Sequence, residues 1–313
     1  MKLLRRLEQF PSELRGGALT IGNFDGVHRG HKHVMQRLKQ HAAAVNGPAI
    51  VFTFDPHPAR LLRPEHSPPP LTWIDRKAEL LSELGVDAVV AYPTDLALLQ
   101  LEYADFFHKI VLERIGARAR VEGPNFYFGH DRHGDVQKLA ELCTDYGLAL
   151  EVVQPKLETS GEEMISSSRI RRLIGSGDVA GAGRLLTQPY RIRGLVVHGS
   201  ARGASLGFPT ANLDAIDTLV PAHGVYVGRA QIERRWYWTA VHIGPNPTFG
   251  EFASKVEIHV LDFDGSLYGT VLEVDFIDRI RGVKAFADIE SLRTQLQRDI
   301  EFARDVARRW VVE

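Results

Sequence analysis

The chain has 313 residues, of which 44% are hydrophobic and 25% charged, with 38 Lys and Arg against 39 Asp and Glu. This length fits two domains of roughly 100–200 residues each, and the composition is that of an ordinary globular protein. The formal net charge of −1 excludes the strongly basic surface that nucleic acid or an anionic membrane usually requires, so we expect small-molecule partners, no nucleic acid and no membrane.

The N-terminal residues 1–10 are charged and lack the apolar segment of a signal peptide. No stretch approaches the ~18 consecutive apolar residues that span a bilayer. Cys143 is the only cysteine, which excludes a disulfide within the chain, and we expect it to be a small buried side chain in a helix. These observations predict a cytoplasmic protein, and they leave open whether it forms a homo-oligomer.

The first half of the chain alternates short apolar segments with amphipathic ones. The apolar segments predict buried strands at residues 18–21, 49–54, 88–92, 119–122 and 149–153. The amphipathic segments predict helices at residues 31–45, 75–84, 105–115 and 135–146. This order predicts an α/β domain with a doubly wound, mostly parallel sheet of the Rossmann-like kind. The proline-rich segment 64–70 is expected to be a loop.

The second half contains strand-like segments without helices between them. They lie at residues 190–198, 225–232, 236–243, 256–263 and 271–276, and Gly, Pro, Asn and Asp clusters separate them. Such a series predicts a small antiparallel β-barrel, and helical spacing of apolar residues predicts a final helix from about Asp288. We place the boundary near Thr187, which gives domains of residues 1–186 and 187–313.

Residues 20–31 leave a strand, pass through a glycine-rich turn and enter a helix. Gly22 and Gly30 allow tight turning and close approach to a ligand. The first turn of the helix offers free N–H groups and a positive dipole end, which suit phosphate. His28 and His31 stand three residues apart there, so both rings can face one bound anion and stabilise the charge that develops in nucleotidyl transfer.

Other interpretations of these histidines stay open. His28, His31 and His33 could ligate a metal, although no nearby acid or cysteine completes a set, and any single histidine is by default a surface residue. The dinucleotide fingerprint G-x-G-x-x-G and the phosphate loop G-x-x-x-x-G-K-[ST] are both absent.

Two motifs in the first half are similar to those of bacterial FAD synthetases within the nucleotidyltransferase superfamily. Residues 22–31 resemble the H-x-G-H signature, and Ile165-Ser-Ser-Ser-Arg-Ile-Arg171 resembles the serine-rich motif that follows in that family. The resemblance implies nucleotide binding by Asn23 and Phe24 and phosphate binding by Ser167 and Ser168. Arg171 would add a charged fork to the same phosphate.

Two further segments support this resemblance. Residues 52–58 resemble the segment of the family's second strand, and residues 123–129 resemble the loop that lines the nucleotide and flavin clefts. Asn125 stands where many members carry Asp, and Ser168 stands where Thr is common. Both replacements keep a hydrogen-bonding group, and Asn125 is expected to bind the nucleotide.

The second constellation begins with a glycine-spaced loop at residues 198–212. Gly199 and Gly203 permit a flap whose amides can hold phosphate. Thr210 and Asn212 point the same way in an extended chain, and their oxygens are reasonable ligands for Mg²⁺. The alternative is a glycine-rich surface loop without a ligand.

A strand with clean alternation follows the loop. Val256, Ile258 and Val260 share one face, which leaves Glu257 and His259 on the other. A carboxylate on a strand is most often merely solvent-facing. In a kinase that acts on an alcohol, however, it would orient and deprotonate the attacking hydroxyl.

This half resembles the riboflavin kinase module, through Pro-Thr-Ala-Asn212, the Val-Glu-x-His strand and residues 224–226, 246–248 and 267–269. The resemblance implies a six-stranded barrel with Thr210 and Asn212 at Mg–ATP and Glu257 as the general base. It also places three residues near the flavin: Arg281, Lys284 and Phe286.

Together the two resemblances imply a bifunctional enzyme of flavin biosynthesis. Riboflavin and ATP would give FMN and ADP at the second domain, and FMN and ATP would give FAD and pyrophosphate at the first. Two alternatives stay open: a chain in which only the kinase works, and a non-catalytic regulator that binds flavin or nucleotide. Thr187 and Gln188 depart from the usual linker of the family, which concerns the coupling of the domains.

Overall fold

The computed structural model describes residues 1–8, 10–154, 164–199 and 202–310. The chain forms two compact units. The sheet unit comprises Met1–Pro68 and Trp73–Ser166, and the barrel unit comprises Pro69–Thr72 and Ser167–Glu313.

The sheet unit is built on six parallel strands. They are β1 (Lys2–Leu4), β2 (Ala18–Ile21), β3 (Ala49–Phe54), β4 (Ala88–Tyr92), β5 (Ala119–Glu122) and β6 (Ala149–Val152), in the spatial order β1-β4-β3-β2-β5-β6. The five predicted strands are confirmed, and the predicted parallel pairing holds throughout. Strand β1 was missed because three residues carry no readable periodicity.

Helices cover both faces of this sheet. They are α1 (Arg29–Ala44), α2 (Ala59–Leu62), α3 (Ile74–Glu83), α4 (Leu96–Leu99), α5 (Tyr103–Phe106), a π-helical continuation Phe107–Ile115, and α6 (Val136–Asp145). Each face carries its own buried apolar cluster. Asp135 caps α6 by accepting from the Lys138 N–H at 2.9 Å, and Cys143 is buried in the same helix, as predicted. The proline-rich segment contains only a 3-10 turn, Pro64–His66.

The order of the strands creates a crevice next to β2. Strands β3 and β4 lie on one side of β2, and β5 and β6 lie on the other, so the winding of the chain reverses between β2 and β5. Open α/β sheets bind ligands at such a reversal, at the carboxyl ends of the strands. The loops that follow β2 and β5, at residues 22–28 and 123–129, both start there.

The barrel unit begins with helices α7 (Ser167–Ser176) and α8 (Val179–Leu185). Six strands then close into an antiparallel barrel in the order β10-β11-β8-β7-β12-β9. They are β7 (Tyr190–Val197), β8 (Ala211–Asp214), β9 (Gly224–Ile232), β10 (Arg235–Asn246), β11 (Glu251–Val260) and β12 (Val271–Arg281), with α9 (Arg202–Ser205) before β8 and α10 (Ile289–Arg309) at the end.

The predicted barrel and its final helix are confirmed. Val256, Ile258 and Val260 are buried, and Asp288 caps α10 by accepting from the Ser291 N–H at 2.7 Å. Strand β8 was missed because its four residues include two polar ones. Helices α7 and α8 cluster with the barrel, whereas the proposed boundary at 186/187 assigns them to the first domain; that boundary stays a prediction about function.

Candidate active sites

In the sheet unit, His28 and His31 lie at the N-terminus of α1. His28 is the N-cap, and its Nδ1 accepts the backbone N–H of His31 at 3.3 Å. The two rings are stacked with centroids 3.5 Å apart and an interplanar angle of 18°. The two histidines therefore lie together at the N-terminus of a helix, as their spacing predicts.

Both histidines are held in the neutral form. Burial lowers the pKa of His28 to about 4, although Asp25 opposes the shift. Burial, together with the charge of Lys77, holds the pKa of His31 well below its usual range. Since Nδ1 of His28 accepts a hydrogen bond, the proton of its neutral ring lies on Nε2, which can donate to an anion.

The turn before these rings is tightly constrained. Phe24 and Val27 have φ of 44° and 39°, in the left-handed region that residues with a side chain rarely adopt. A Cβ on Gly30 would lie 3.0 Å from Nδ1 of His28, so a larger residue there would require the ring to shift by a few tenths of an ångström. The strain is concentrated where a ligand would meet the loop.

Lys77, on α3, contacts the backbone of this loop and was not among the predicted site residues. It is 7% exposed, and its ammonium donates to the Asn23 carbonyl at 2.7 Å. Burial lowers its pKa, and Asp25 and Asp55 oppose that shift. The sequence does contain an indication that Lys77 is buried. It stands three and four residues before Leu80 and Leu81, and this spacing places it on the apolar face of α3.

The remaining predicted residues of the transferase lie in two places. Gly22 directly follows β2, and its N–H donates to the Phe52 carbonyl at 3.0 Å; Asn125 is exposed in the loop after β5. Ser167, Ser168 and Arg171 lie on α7 in the barrel unit, where Arg171 Nε donates to the Pro69 carbonyl at 3.0 Å.

In the barrel unit, Glu257 lies in the middle of a row of polar residues. It is directly opposite Asn212 on β8 and directly opposite His242 on β10. Residues that face each other in antiparallel strands project from the same side of the sheet, with Cβ atoms about 5 Å apart. Asn246 donates from Nδ2 to Glu257 Oε2 at 3.1 Å and so orients the carboxylate.

A cavity on this face brings together most of the predicted kinase residues. Its lining includes Gly203, Thr210, Glu257, Arg281, Lys284 and Phe286. His242 also lines it, and burial lowers the pKa of that ring against the opposing effect of Glu257. His242 was missed, although the buried Val241 and Ile243 on either side of it indicate that it faces away from the barrel core.

The loop before β8 approaches the same row closely. A Cβ on Gly199 would lie 2.1 Å from Asn212 Nδ2, which explains glycine at that position. Residues 200 and 201 of the loop lie outside the described residues. The oxygens of Thr210 and Asn212 are hard donors that suit Mg²⁺. In the described ranges no group of three or more His, Cys, Asp or Glu could hold a metal, so such an ion would depend on these donors and on nucleotide oxygens.

One of the predicted flavin residues, Arg281, is held by a buried carboxylate. Asp299, 2% exposed on α10, accepts from Arg281 Nε at 3.0 Å and from Nη2 at 2.7 Å. The Phe286 ring lies 5.7 Å from the Arg281 guanidinium and 4.9 Å from the Lys284 ammonium. Asp299 was missed, because a lone acid on an amphipathic helix is usually exposed.

Two different protein families match the two halves of the chain. The family described as FAD synthetase matches residues 10–169, and the family described as riboflavin kinase matches residues 186–307. Within the part of the chain that the structure describes, no helix is long and apolar enough to cross a bilayer.

Curated relatives match over nearly the whole length. The bifunctional riboflavin kinase/FMN adenylyltransferases of Pseudomonas fluorescens and Escherichia coli K12 are 36% and 34% identical, with 98% and 97% of both chains covered. A crystal structure described as a macrolide-efflux protein from Streptococcus pneumoniae is 30% identical, with 99% of both chains covered and a TM-score of 0.86. The two family matches and the two curated bifunctional relatives show that the chain belongs to the family of bifunctional riboflavin kinase/FMN adenylyltransferases.

Proposed function

We propose that the barrel unit transfers the γ-phosphoryl group of ATP to riboflavin, and that the sheet unit transfers the AMP group of a second ATP to the resulting FMN. The observation that carries the first assignment is the row of Asn212, Glu257 and His242 beside one cavity. The stacked histidines at the start of α1 carry the second.

In the kinase reaction, Glu257 is the general base. Its carboxylate accepts the proton of the ribityl hydroxyl while the hydroxyl oxygen forms a bond to the γ-phosphorus and the bond to ADP breaks. Asn246 holds the carboxylate in position through its hydrogen bond. Thr210 and Asn212 would hold a Mg²⁺ ion together with ATP. The bound ion would neutralise part of the negative charge of the phosphates.

Riboflavin and ATP would occupy different parts of this site. Arg281, held by Asp299, and Phe286 form one wall and would hold the flavin. Gly199 and Gly203, in the loop before β8, would hold the ATP phosphates through backbone amides.

In the adenylyltransferase reaction, a phosphate oxygen of FMN forms a bond to the α-phosphorus of ATP, and the bond to pyrophosphate breaks. The attacking phosphate is already ionised near neutral pH, so this half needs no general base. His28 and His31 would donate hydrogen bonds to the developing charge. Within the sheet unit, the nucleotide site would be shaped by Asn125, Gly22, Asn23, Phe24 and Gly30.

Incubation of the purified chain with riboflavin, ATP and Mg²⁺, followed by separation of the flavins, tests both assignments. We expect FMN to appear first and FAD to follow, with ADP and pyrophosphate as the other products. A chain that binds flavin but forms neither product would instead be a regulator. We propose a cytoplasmic location, because both reactions consume ATP, and light scattering would show whether the chain forms a homo-oligomer.

A further inference from the structure

Two buried charged residues lie on β5, where the sheet is covered on both faces. Arg120 and Glu122 are 1% and 2% exposed, and their side chains form an ion pair. Because they are two residues apart on one strand, they point to the same face. Parallel strands covered on both faces normally carry near-continuous apolar sequence, so the fold by itself does not call for this pair.

The Glu122 carboxylate replaces a backbone hydrogen bond between β2 and β5. The two strands pair only as far as Leu19 and Arg120. Beyond that point, the backbone N–H of Ile21 donates to Glu122 Oε1 at 3.0 Å, in a buried hydrogen bond. The side chain therefore bridges the strands where their backbones have separated.

This bridge lies at the base of both loops that line the crevice. Ile21 is followed directly by the glycine-rich turn at residues 22–28, and Glu122 is followed directly by the loop at residues 123–129. This hydrogen bond therefore links the starting points of the two loops. Displacement of catalytic groups by as little as about 1 Å can slow an enzyme on the order of 100-fold.

Arg120 allows the carboxylate to be buried there. Its guanidinium pairs with Glu122 and lies 5.6 Å from the centre of the Phe126 ring, in the second loop. Burial raises the pKa of Glu122, and Arg120 opposes that rise. Replacing a buried ion pair with apolar residues of similar size often leaves stability unchanged or higher, so stability alone does not explain the pair.

We infer that Arg120 and Glu122 are a positioning pair for FMN adenylylation, in which the hydrogen bond from Ile21 to Glu122 sets the width of the crevice. Arg120 compensates the charge of the carboxylate within the core. The inference rests on the adenylyltransferase function proposed for the sheet unit, and it assigns neither residue a contact with substrate.

Two double variants of the full-length chain test the inference. Arg120→Met with Glu122→Gln removes both charges and keeps an acceptor for the Ile21 N–H; Arg120→Met with Glu122→Met removes the acceptor as well. We expect the first to keep kcat and the KM for ATP in FMN adenylylation within about threefold of wild type. We expect the second to lower kcat/KM on the order of 10- to 100-fold, with unchanged riboflavin phosphorylation.

Glu151→Gln is the matched control. Glu151 lies on the adjacent strand β6, opposite Val121, and accepts from Arg37 on α1 at 2.6 Å, so it is an ion-paired glutamate away from the crevice. Its adenylylation constants are expected to match those of wild type.

Equal adenylylation constants for the two double variants would overturn the inference, as would a tenfold loss in a folded Met/Gln chain. If the Met/Met chain does not fold, Arg120→Met with Glu122→Leu, which also lacks the acceptor, takes its place with the same expected loss. Wild-type chain that forms no FAD from FMN would contradict the proposed function itself, and is therefore a separate result.

Discussion

The two sites differ in how their polar groups are held. In the barrel unit, Asn212, Glu257 and His242 are aligned by strand pairing, so backbone hydrogen bonds fix the positions of the functional groups. In the sheet unit, His28 and His31 stand on a turn after a strand and are kept neutral by burial. The proposed kinase site thus places a carboxyl group on rigid strands, whereas the proposed transferase site places neutral imidazole rings on a constrained loop.

The largest expected effect is at the base of the kinase site. Glu257→Gln keeps the size of the side chain and the contact with Asn246 but cannot take a proton, so we expect riboflavin phosphorylation to fall about 10²- to 10⁴-fold. Adenylylation of added FMN should be unchanged. Glu273→Gln, a barrel glutamate that pairs with Arg191, is the control and should leave both rates unaltered.

The next effect concerns the transferase histidines. His28→Ala removes a donor to the developing charge and the cap of α1, and we expect FMN adenylylation to fall about 10²- to 10³-fold with normal phosphorylation of riboflavin. His33→Ala, on the same helix, should retain adenylylation. A comparable loss in the His33 variant would favour the metal-ligand interpretation of the three histidines.

A smaller effect is expected at the flavin wall. Asp299→Asn weakens the charged hydrogen bonds that hold Arg281, so the KM for riboflavin should rise about tenfold, with little change in kcat. Asp262→Asn is the control. Asp262 accepts two similar hydrogen bonds from Arg304, which is an exposed residue of α10. Steady-state kinetics of both variants would contradict the assignment if their KM values rose equally.

The smallest effect is on stability. His28 has a folded-state pKa of about 4 against an ordinary value of 6.5, so the unfolded chain binds more protons between these values. Stability that is fully present above pH 6.5 is therefore lost as the pH falls toward 4, by about 2 kcal/mol at pH 5 for this group. Burial of His31 acts in the same direction.

Urea unfolding of the sheet unit at pH 7 and pH 5, followed by a probe in that unit, measures this loss. His28→Asn keeps an N-cap acceptor and removes the titrating ring, so its stability should fall less between the two pH values. An equal fall in both chains would show that His28 does not cause the pH dependence.

Local patterns were sufficient for most of the fold. The strands at residues 18–21, 49–54, 88–92 and 119–122 have the predicted bounds, because apolar segments between turn residues leave little freedom there. Strands β1 and β8 were missed because they are short and take their partners from distant parts of the chain.

The sequence predicted the individual motifs of the two sites but not the contacts between residues that are distant along the chain. Glu257 followed from alternation and resemblance, but its neighbour His242 depends on the pairing of β10 with β11. Lys77 and Asp299 depend on which face of a helix the fold covers. The hydrogen bond from Ile21 to Glu122 depends on where β2 and β5 separate. The spacing of apolar residues along the sequence does not predict that point.

The central claim is that one chain carries two separable catalytic sites, and a mixing experiment tests it most directly. Glu257→Gln and His28→Ala chains are each incubated with riboflavin, ATP and Mg²⁺, alone and together, and FAD is quantified. We predict almost no FAD from either variant alone, FMN accumulation with His28→Ala, and FAD formation when the two are mixed. Loss of both reactions in either single variant, or no FAD from the mixture, would contradict the claim.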